Sequence, residues 1–384
     1  MDILHEHEWK SLATEEGHCV SIYLPTQPGS PEGFRDHLLL KGCLHRAAEM
    51  LGQRGVTHAE IRKMLEPAEL LVEDDGFWHD RSQGLALLVS RRIFGRWRLP
   101  LAFREFTHVG RSFQLRPLLP LLVEDQPYYL LAFSQNRIRL FRGSRFSFEA
   151  LPDAALPPSL KALAATAAEV DGGVQFHTGG ARHPSQATAA VYHGQGGRRD
   201  EQPAQMTLYL KGIREAMRPV LRGSTLPLVL ATVPENAAAF REVNEYPHLR
   251  DESLAGNPDY LTPHELHERS WPMVQRVVDA KVREAVRGFQ ELTGSERVST
   301  DERAIVTAAA QGRVASLFVD RDAHLWGSLE PATQTVQFLN SDSPGAEDLL
   351  DRAAVLTHEQ RGAVYVLPRQ EIPANASIAA VYRY

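Results

Sequence analysis

Cysteine is nearly missing from this chain. Of 384 residues only Cys19 and Cys43 are cysteines, and neither stands in a Cys-x-x-Cys pair. That excludes a disulfide framework and a cysteine-ligated zinc site, and both thiols read as buried core residues. No apolar run approaches the length of a membrane span. The first ten residues are charged and histidine-containing, unlike the apolar centre of a signal peptide, so a cytoplasmic protein is expected. An excess of positive charge is also missing: 42 Lys and Arg stand against 48 Asp and Glu, a formal charge of −6. Coating nucleic acid without specificity requires a broad excess of cations, so any nucleic-acid contact here has to be local. Neither a His-Glu-x-x-His pattern nor a nucleophile elbow with a Ser-His-Asp set occurs. The familiar zinc-protease and serine-hydrolase readings fall with them.

What is present is an ordinary globular composition, 43% hydrophobic and 23% charged, on a chain long enough for two or three separate cores. Residues 18–24 are β-prone and stop at Pro25, after which apolar residues recur at helical spacing from Phe34 to Leu51. A second helix is expected over Thr57–Val72 and a buried strand over Gly84–Ser90, which makes an α/β layer. Tyr128–Phe133, Arg137–Phe141 and Phe146–Glu149 are short strands joined by tight turns, a β-meander. From Pro152 to Pro203 there is no strong apolar period, and a long irregular insertion is expected. A helix over Gln205–Leu221, a strand over Leu226–Val233 and a helix over Glu235–Tyr246 follow. Thr262-Pro263-His264-Glu265 is a capping box with proline at the first helical position, opening a helix toward Leu292 with a break near Pro272. Beyond Gly294-Ser295 comes a second alternating unit. It has a helix from Asp301 to Gln311, strands at Val314–Val319, Trp326–Leu329 and Val336–Leu339, a helix over Ala346–Gln360, and strands at Ala363–Leu367 and Ile378–Tyr382.

The insertion holds the segment richest in chemistry, His193-Gly194-Gln195-Gly196-Gly197-Arg198-Arg199. Three glycines in four positions free the backbone for positive φ and present bare N–H groups, and the arginines add charge; the combination suits a phosphate or a polar RNA end, although such loops also serve as plain connectors. Two basic stretches are candidate RNA contacts or simply solvated faces: Arg91, Arg92, Arg96, Arg98, Arg104, Arg111 and Arg116, with Glu105 the one acid among them, and Lys211, Arg214, Arg218 and Arg222. His177, His183 and His193, the pair His264 and His267, and the acids Asp171, Asp200 and Glu201 offer no metal-ligand spacing, so neither a metal nor a cofactor is expected. Tyr246-Pro247-His248-Leu249, Ser270-Trp271-Pro272, Trp326 and Tyr365 read as packing residues.

The ordered set of segments resembles the archaeo-eukaryotic class-I peptide-chain release factors, the rescue protein Pelota, and above all their bacterial relatives, which include the Balon-type ribosome hibernation factors. The likeness is carried by Val20–Pro25, Gly84–Leu87 and Phe113–Leu119 near the start. Near the end it is carried by Gln311–Val319, Glu347–Leu349, Gly362–Tyr365 and the close Ile378–Tyr384, where Ala376-Ser377 replaces a glycine pair. It implies an α/β fold of three domains. These are an N-terminal α/β domain over 1–122, a central RNase H-like α/β domain with the long loop insertion over 123–294, and a C-terminal α/β sandwich over 295–384. In the family a Gly-Gly-Gln loop ahead of a long helix enters the peptidyl-transferase centre, and the matching positions are His193, Gly194, Gly196 and Gly197. Arg198 takes the place of the catalytic glutamine, and Gln195 stands before the glycine pair. A backbone amide survives that change, but the side chain that admits water does not. No codon-reading motif is recognisable.

The resemblance therefore implies a ribosome-binding factor of the A site, for hibernation or rescue, with ribosomal RNA and the tRNA end as candidate contacts and no hydrolysis. Arg91, Arg92, Arg96 and Arg98 and the loop from His193 to Arg199 are the expected RNA contacts. A translational GTPase is the expected partner of the last domain, and neither DNA nor a membrane is expected. The alternative is a peptidyl-tRNA hydrolase in which Gln195 substitutes for the missing glutamine.

Overall fold

An apolar run too short for a helix and free of alternation, Cys19–Pro25, has every residue but the last buried, and it becomes a central strand. The structure, a computed structural model, describes residues 4–26, 33–79, 82–123, 125–152, 197–330, 333–341, 343 and 345–384. The chain divides into two compact units. One joins Met1–Glu124 with Ala280–Tyr384, and the other is Asp125–Asp279.

In the first unit α1 (Glu6–Ala13) precedes β1 (Cys19–Pro25), followed by α2 (Gly33–Gln53), α3 (His58–Val72), α4 (Asp75–His79), β2 (Gly84–Val89), β3 (Phe94–Leu99), β4 (Phe106–Gly110) and α5 (Pro120–Val123). The sheet is antiparallel in the order β3-β2-β1-β4. Its one face packs Val20, Ile22 and Leu24 against Leu40, Leu44 and Leu65 of α2 and α3. Helix α1 and strands β3 and β4 were not expected. In β3, Arg96 and Arg98 alternate with inward Trp97 and Leu99, so charge on the outer face masks the strand period. Both cysteines are buried and free, as expected. Burial, then the Glu15 carboxylate, pushes the Cys19 thiol up to about 12, and burial raises Cys43 as well.

The second unit carries β5 (Tyr128–Phe133), β6 (Ile138–Gly143), β7 (Phe148–Ala150), α6 (Gly197–Leu221), β8 (Leu228–Thr232), α7 (Pro234–Val243) and β9 (Leu249–Ala255). Next is α8 (Pro263–Glu291), whose last turns belong to the first unit. The meander is present, with β5 paired antiparallel to β6 and β6 to β7. The sheet order is β7-β6-β5-β8-β9, with β8 parallel to both β5 and β9. Tyr209, Ile213 and Met217 of α6 and Phe240 of α7 cover one face with Leu131, Phe133 and Leu230. Leu266 and Val274 of α8 cover the other with Leu130, Ala132 and Val229. The region expected to pack around Tyr246 runs straight into β9, an edge strand of sequence Leu-Arg-Asp-Glu-Ser-Leu-Ala, whose charges hide it from a search for apolar alternation. The capping box forms: the Glu265 carboxylate accepts from the Thr262 amide at 2.8 Å, and Thr262 Oγ1 accepts from the Glu265 amide at 3.3 Å. The break near Pro272 does not occur. Leu266, Ser270 and Val274, all fully buried, bind the inner face tightly enough to outweigh the one lost backbone bond.

The first unit is completed by β10 (Val298–Ser299), α9 (Glu302–Ala310), β11 (Val314–Asp320), β12 (Trp326–Glu330), β13 (Thr335–Phe338), β14 (Glu347–Asp348), α10 (Leu349–Glu359), β15 (Ala363–Leu367) and β16 (Ile378–Tyr382). They form sheets β10-β16-β11-β15 and β13-β12-β14. The helix expected from Ala346 starts at Leu349, because Glu347 and Asp348 pair with β12 and the Asp348 side chain then caps the helix. One apolar cluster spans both ends of the chain, with Tyr23, Trp97 and Phe113 in it beside Ile305, Leu349 and Ala354.

Charge is buried in the same seam. Arg116, with 3% of its side chain exposed, donates from Nη2 to Asp348 Oδ2 at 3.1 Å and to the Ala323 carbonyl at 2.6 Å, and its backbone amide donates to Asp351 Oδ1 at 2.5 Å. His324 Nδ1 lies 2.7 Å from Asp348 Oδ2. Rings complete the contact: His324 stacks on Phe106 at 5.1 Å and on Trp326 at 5.4 Å, and His108 stacks on Trp326 at 4.7 Å. Burial and then the Asp348 charge push the Asp351 carboxyl up to about 7. Burial works to raise Asp348 too, but the Arg116 charge and the His324 hydrogen bond hold it below the ordinary range. Burial drives the His108 imidazole down to about 4.

Candidate nucleic-acid interface

In the central unit the parallel strands β5, β8 and β9 end at Phe133, Thr232 and Ala255, and the polar turns that follow them lie at one end of the sheet. Helix α6 ends at Leu221, a short turn ahead of the start of β8, so it runs antiparallel to that strand. Tyr209 Oη donates to the Ser134 carbonyl at 2.7 Å, which pins the middle of α6 to the β5–β6 turn. At 1.5 Å per residue, Gly197 lies about 18 Å further along the helix axis. The start of α6 therefore projects on the side of the strand C-termini.

That end is built from backbone turns fixed by short polar side chains. Ser134 Oγ accepts from the Asn136 amide at 2.9 Å and donates to Asp259 Oδ2 at 2.9 Å, and Asn136 Nδ2 reaches the same oxygen at 3.4 Å. Asn257 caps the short turn Pro258–Tyr260 by accepting from the Asp259 amide at 3.0 Å. Arg139 donates to the carbonyls of Leu261 and Pro258 at 2.9 and 2.5 Å, and its guanidinium lies 5.7 Å from the centre of the Phe141 ring. Two concavities flank this ridge. One of about 260 Å³ has Asn136, Thr232, Asn236 and Asn257 in its wall, and one of about 360 Å³ is lined by Arg137, Arg139, Asp259 and Tyr260. Tyr260 is 86% exposed.

Residues 127–313, which include this whole end, match the family described as bacterial archaeo-eukaryotic release factor family 3. That segment is similar in sequence to the release-factor family. A comparison with the curated proteins finds no match. Among solved structures the chain is similar to the archaeal translation termination factor aRF1, at 14% identity over 100% of this chain and 99% of that one with a TM-score of 0.23. It is also similar to Pelota of Archaeoglobus fulgidus, at 12% identity over 78% of this chain and 79% of that one with a TM-score of 0.28. Ribosome-bound archaeal Pelota with ABCE1 gives 11% identity, 78% of each chain and a TM-score of 0.38. At such scores the likeness to release factors rests on the sequence of the central segment.

Within the matched segment, His193, Gly194, Gln195 and Gly196 lie outside the described residues, as do His177, His183 and Asp171. Gly197, Arg198 and Arg199 are the first three residues of α6, followed by Asp200 and Glu201, so the sequence after the glycine pair is helical at once rather than from Gln205. The basic candidates from Arg91 to Arg116 sit in the first unit, and much of their charge is engaged there. Arg91 pairs with Glu60 at 2.7 Å and Arg92 with Glu15 at 2.8 Å, while Arg96 and Arg98 lie 5.0 and 5.4 Å from the centre of the Phe77 ring. All four remain at the surface in part, but Arg116 does not and leaves the set of candidate contacts. Arg214 and Arg218 on α6 share Glu215, and Arg214 also pairs with Glu245 at 2.7 Å. His264 pairs with exposed Glu268, and His267 bonds the Ser144 carbonyl at 2.7 Å and stacks on Phe148. Among the described residues no group of three or more His, Cys, Asp or Glu could hold a metal ion, and no helix is long and apolar enough to cross a membrane.

The turns Ser134–Arg137 and Asn257–Tyr260 were not singled out from the sequence. Their one visible signal is an aromatic residue at the end of Asn-Pro-Asp-Tyr, a turn sequence that leaves a ring outside the core.

Proposed function

We propose that the protein is a ribosome-associated translation factor that occupies the A site, for hibernation or rescue, and contacts ribosomal RNA without cleaving a bond. The observation that carries this reading is the release-factor family match over residues 127–313, combined with the loop order Gln195-Gly196-Gly197-Arg198. The match supports a translation role. The order supports occupancy, since an arginine after the glycine pair offers charge to phosphate but cannot position water as a glutamine does. The start of α6, at Gly197 and Arg198 of that order, projects past the sheet. On this reading the protein works in the cytoplasm, the surface arginines of the first unit meet RNA backbone, and residues 295–384 dock a translational GTPase that delivers the factor.

Gln195 beside the same glycines favours a second reading, peptidyl-tRNA hydrolysis. A release assay on peptidyl-tRNA-loaded ribosomes separates the two. Binding without release is the expected outcome. Release that Gly197→Ala abolishes while binding persists would establish the hydrolase.

A further inference from the structure

The release-factor reading gives a role to the glycine loop but none to the polar end of the central sheet. Tyr260 is 86% exposed at the tip of the turn Pro258–Tyr260, so its ring adds nothing to the core. Arg137, exposed on the neighbouring turn, has no side-chain partner among the described residues, whereas Arg139 beside it is fully engaged with two carbonyls. Asn136, Asn236 and Asn257 present amides around the smaller concavity. The central carboxylate, Asp259, is occupied by Ser134 and Asn136. Glu235 is next to Asn236 on the first turn of α7, on the side of the smaller concavity.

We propose that Tyr260, Arg137 and the amides of Asn136, Asn236 and Asn257 form a docking surface for an unstacked nucleotide of single-stranded RNA. An exposed aromatic ring stacks any base, a lone guanidinium takes the adjoining phosphate, and side-chain amides carry the donor and acceptor pair that base edges require. A duplex keeps its bases stacked and cannot use this surface. Both hollows mix apolar wall with amides, hydroxyls and charges, which suits a flat ring with polar edges, as a nucleobase is, better than an apolar peptide. The surface lies on the side toward which the start of α6 projects. The inference rests on the ribosome reading for its biological setting, but its chemistry is testable without ribosomes.

The test measures fluorescence anisotropy of a labelled single-stranded RNA of about twelve nucleotides, within the usual site sizes, with the full-length protein at low salt. The expected result is binding of the single strand in preference to a duplex, a loss of about tenfold for Tyr260→Ala, and retention for Tyr260→Phe, as base stacking on a ring requires. Equal binding by Tyr260→Ala, or no binding of single-stranded RNA, overturns the proposal. A photo-crosslinking residue at position 260 on ribosome-bound protein gives the second readout. Crosslinks to ribosomal RNA support the surface, and crosslinks to ribosomal protein overturn it. Failure to sediment with ribosomes would instead strike the functional reading, while the oligonucleotide result would stand on its own.

Discussion

Two polar regions of this molecule use the same residue types in opposite ways. In the seam of the first unit, Arg116, Asp348, Asp351 and His324 are drawn from positions as much as 235 residues apart, and the arginine and both carboxylates are buried. At the end of the central unit, Arg137, Asn136, Asn257 and Tyr260 come from two local turns and face outward. Buried charge left unpaired costs several kcal/mol, so the seam groups are partnered and serve the fold. Exposed groups held by local turns cost almost nothing to leave open, and such groups are free for recognition.

The largest effect expected from breaking this contrast is in the seam. Arg116→Met strands Asp348 in the core and is predicted to cost about 3–5 kcal/mol in urea unfolding. An effect below about 1 kcal/mol would place the seam among surface ion pairs. The next is a pair of opposed pH dependences. The raised Asp351 carboxyl contributes stability that is complete below its ordinary 3.8 and is lost as pH rises toward about 7. The lowered His108 imidazole does the reverse: its contribution is complete above its ordinary 6.5 and is lost as pH falls toward about 4. Asp351→Asn should therefore expose a fall in stability on acidification from pH 6.5 to 4, and His108→Gln a rise, where the parent is nearly flat. Parallel curves for all three proteins would contradict the assignments. Tyr246→Phe, which removes a 2.7 Å bond to the Leu226 carbonyl, should cost about 1 kcal/mol. At the small end, Tyr260→Ala should change stability by no more than about 0.5 kcal/mol, and Arg91→Ala, cutting an exposed pair, by less than about 1 kcal/mol. Arg91→Ala should also reduce the salt sensitivity of ribosome binding if that arginine meets phosphate.

The same contrast explains what could be read in advance. Strands β1, β5 and β8 are continuous apolar runs, and the Thr262–Glu265 box lies within four residues, so local pattern alone marks them. Strand β9 escaped because an edge strand needs charge, and β3 because arginines occupy its outer face. Arg116 looked like one more surface cation because its partners lie in the last domain-length of sequence, beyond any local window. At the candidate site, the glycine loop was visible as composition and resemblance. The turns Ser134–Arg137 and Asn257–Tyr260 were not, since Asn, Pro, Asp and Ser mark a turn whether or not anything binds there.

Sedimentation of the full-length protein with purified ribosomes over a salt series tests the central claim most directly. The account predicts co-sedimentation at low salt that falls steeply as salt rises, because phosphate contacts dominate the affinity. Protein that stays in the supernatant at low salt would contradict it.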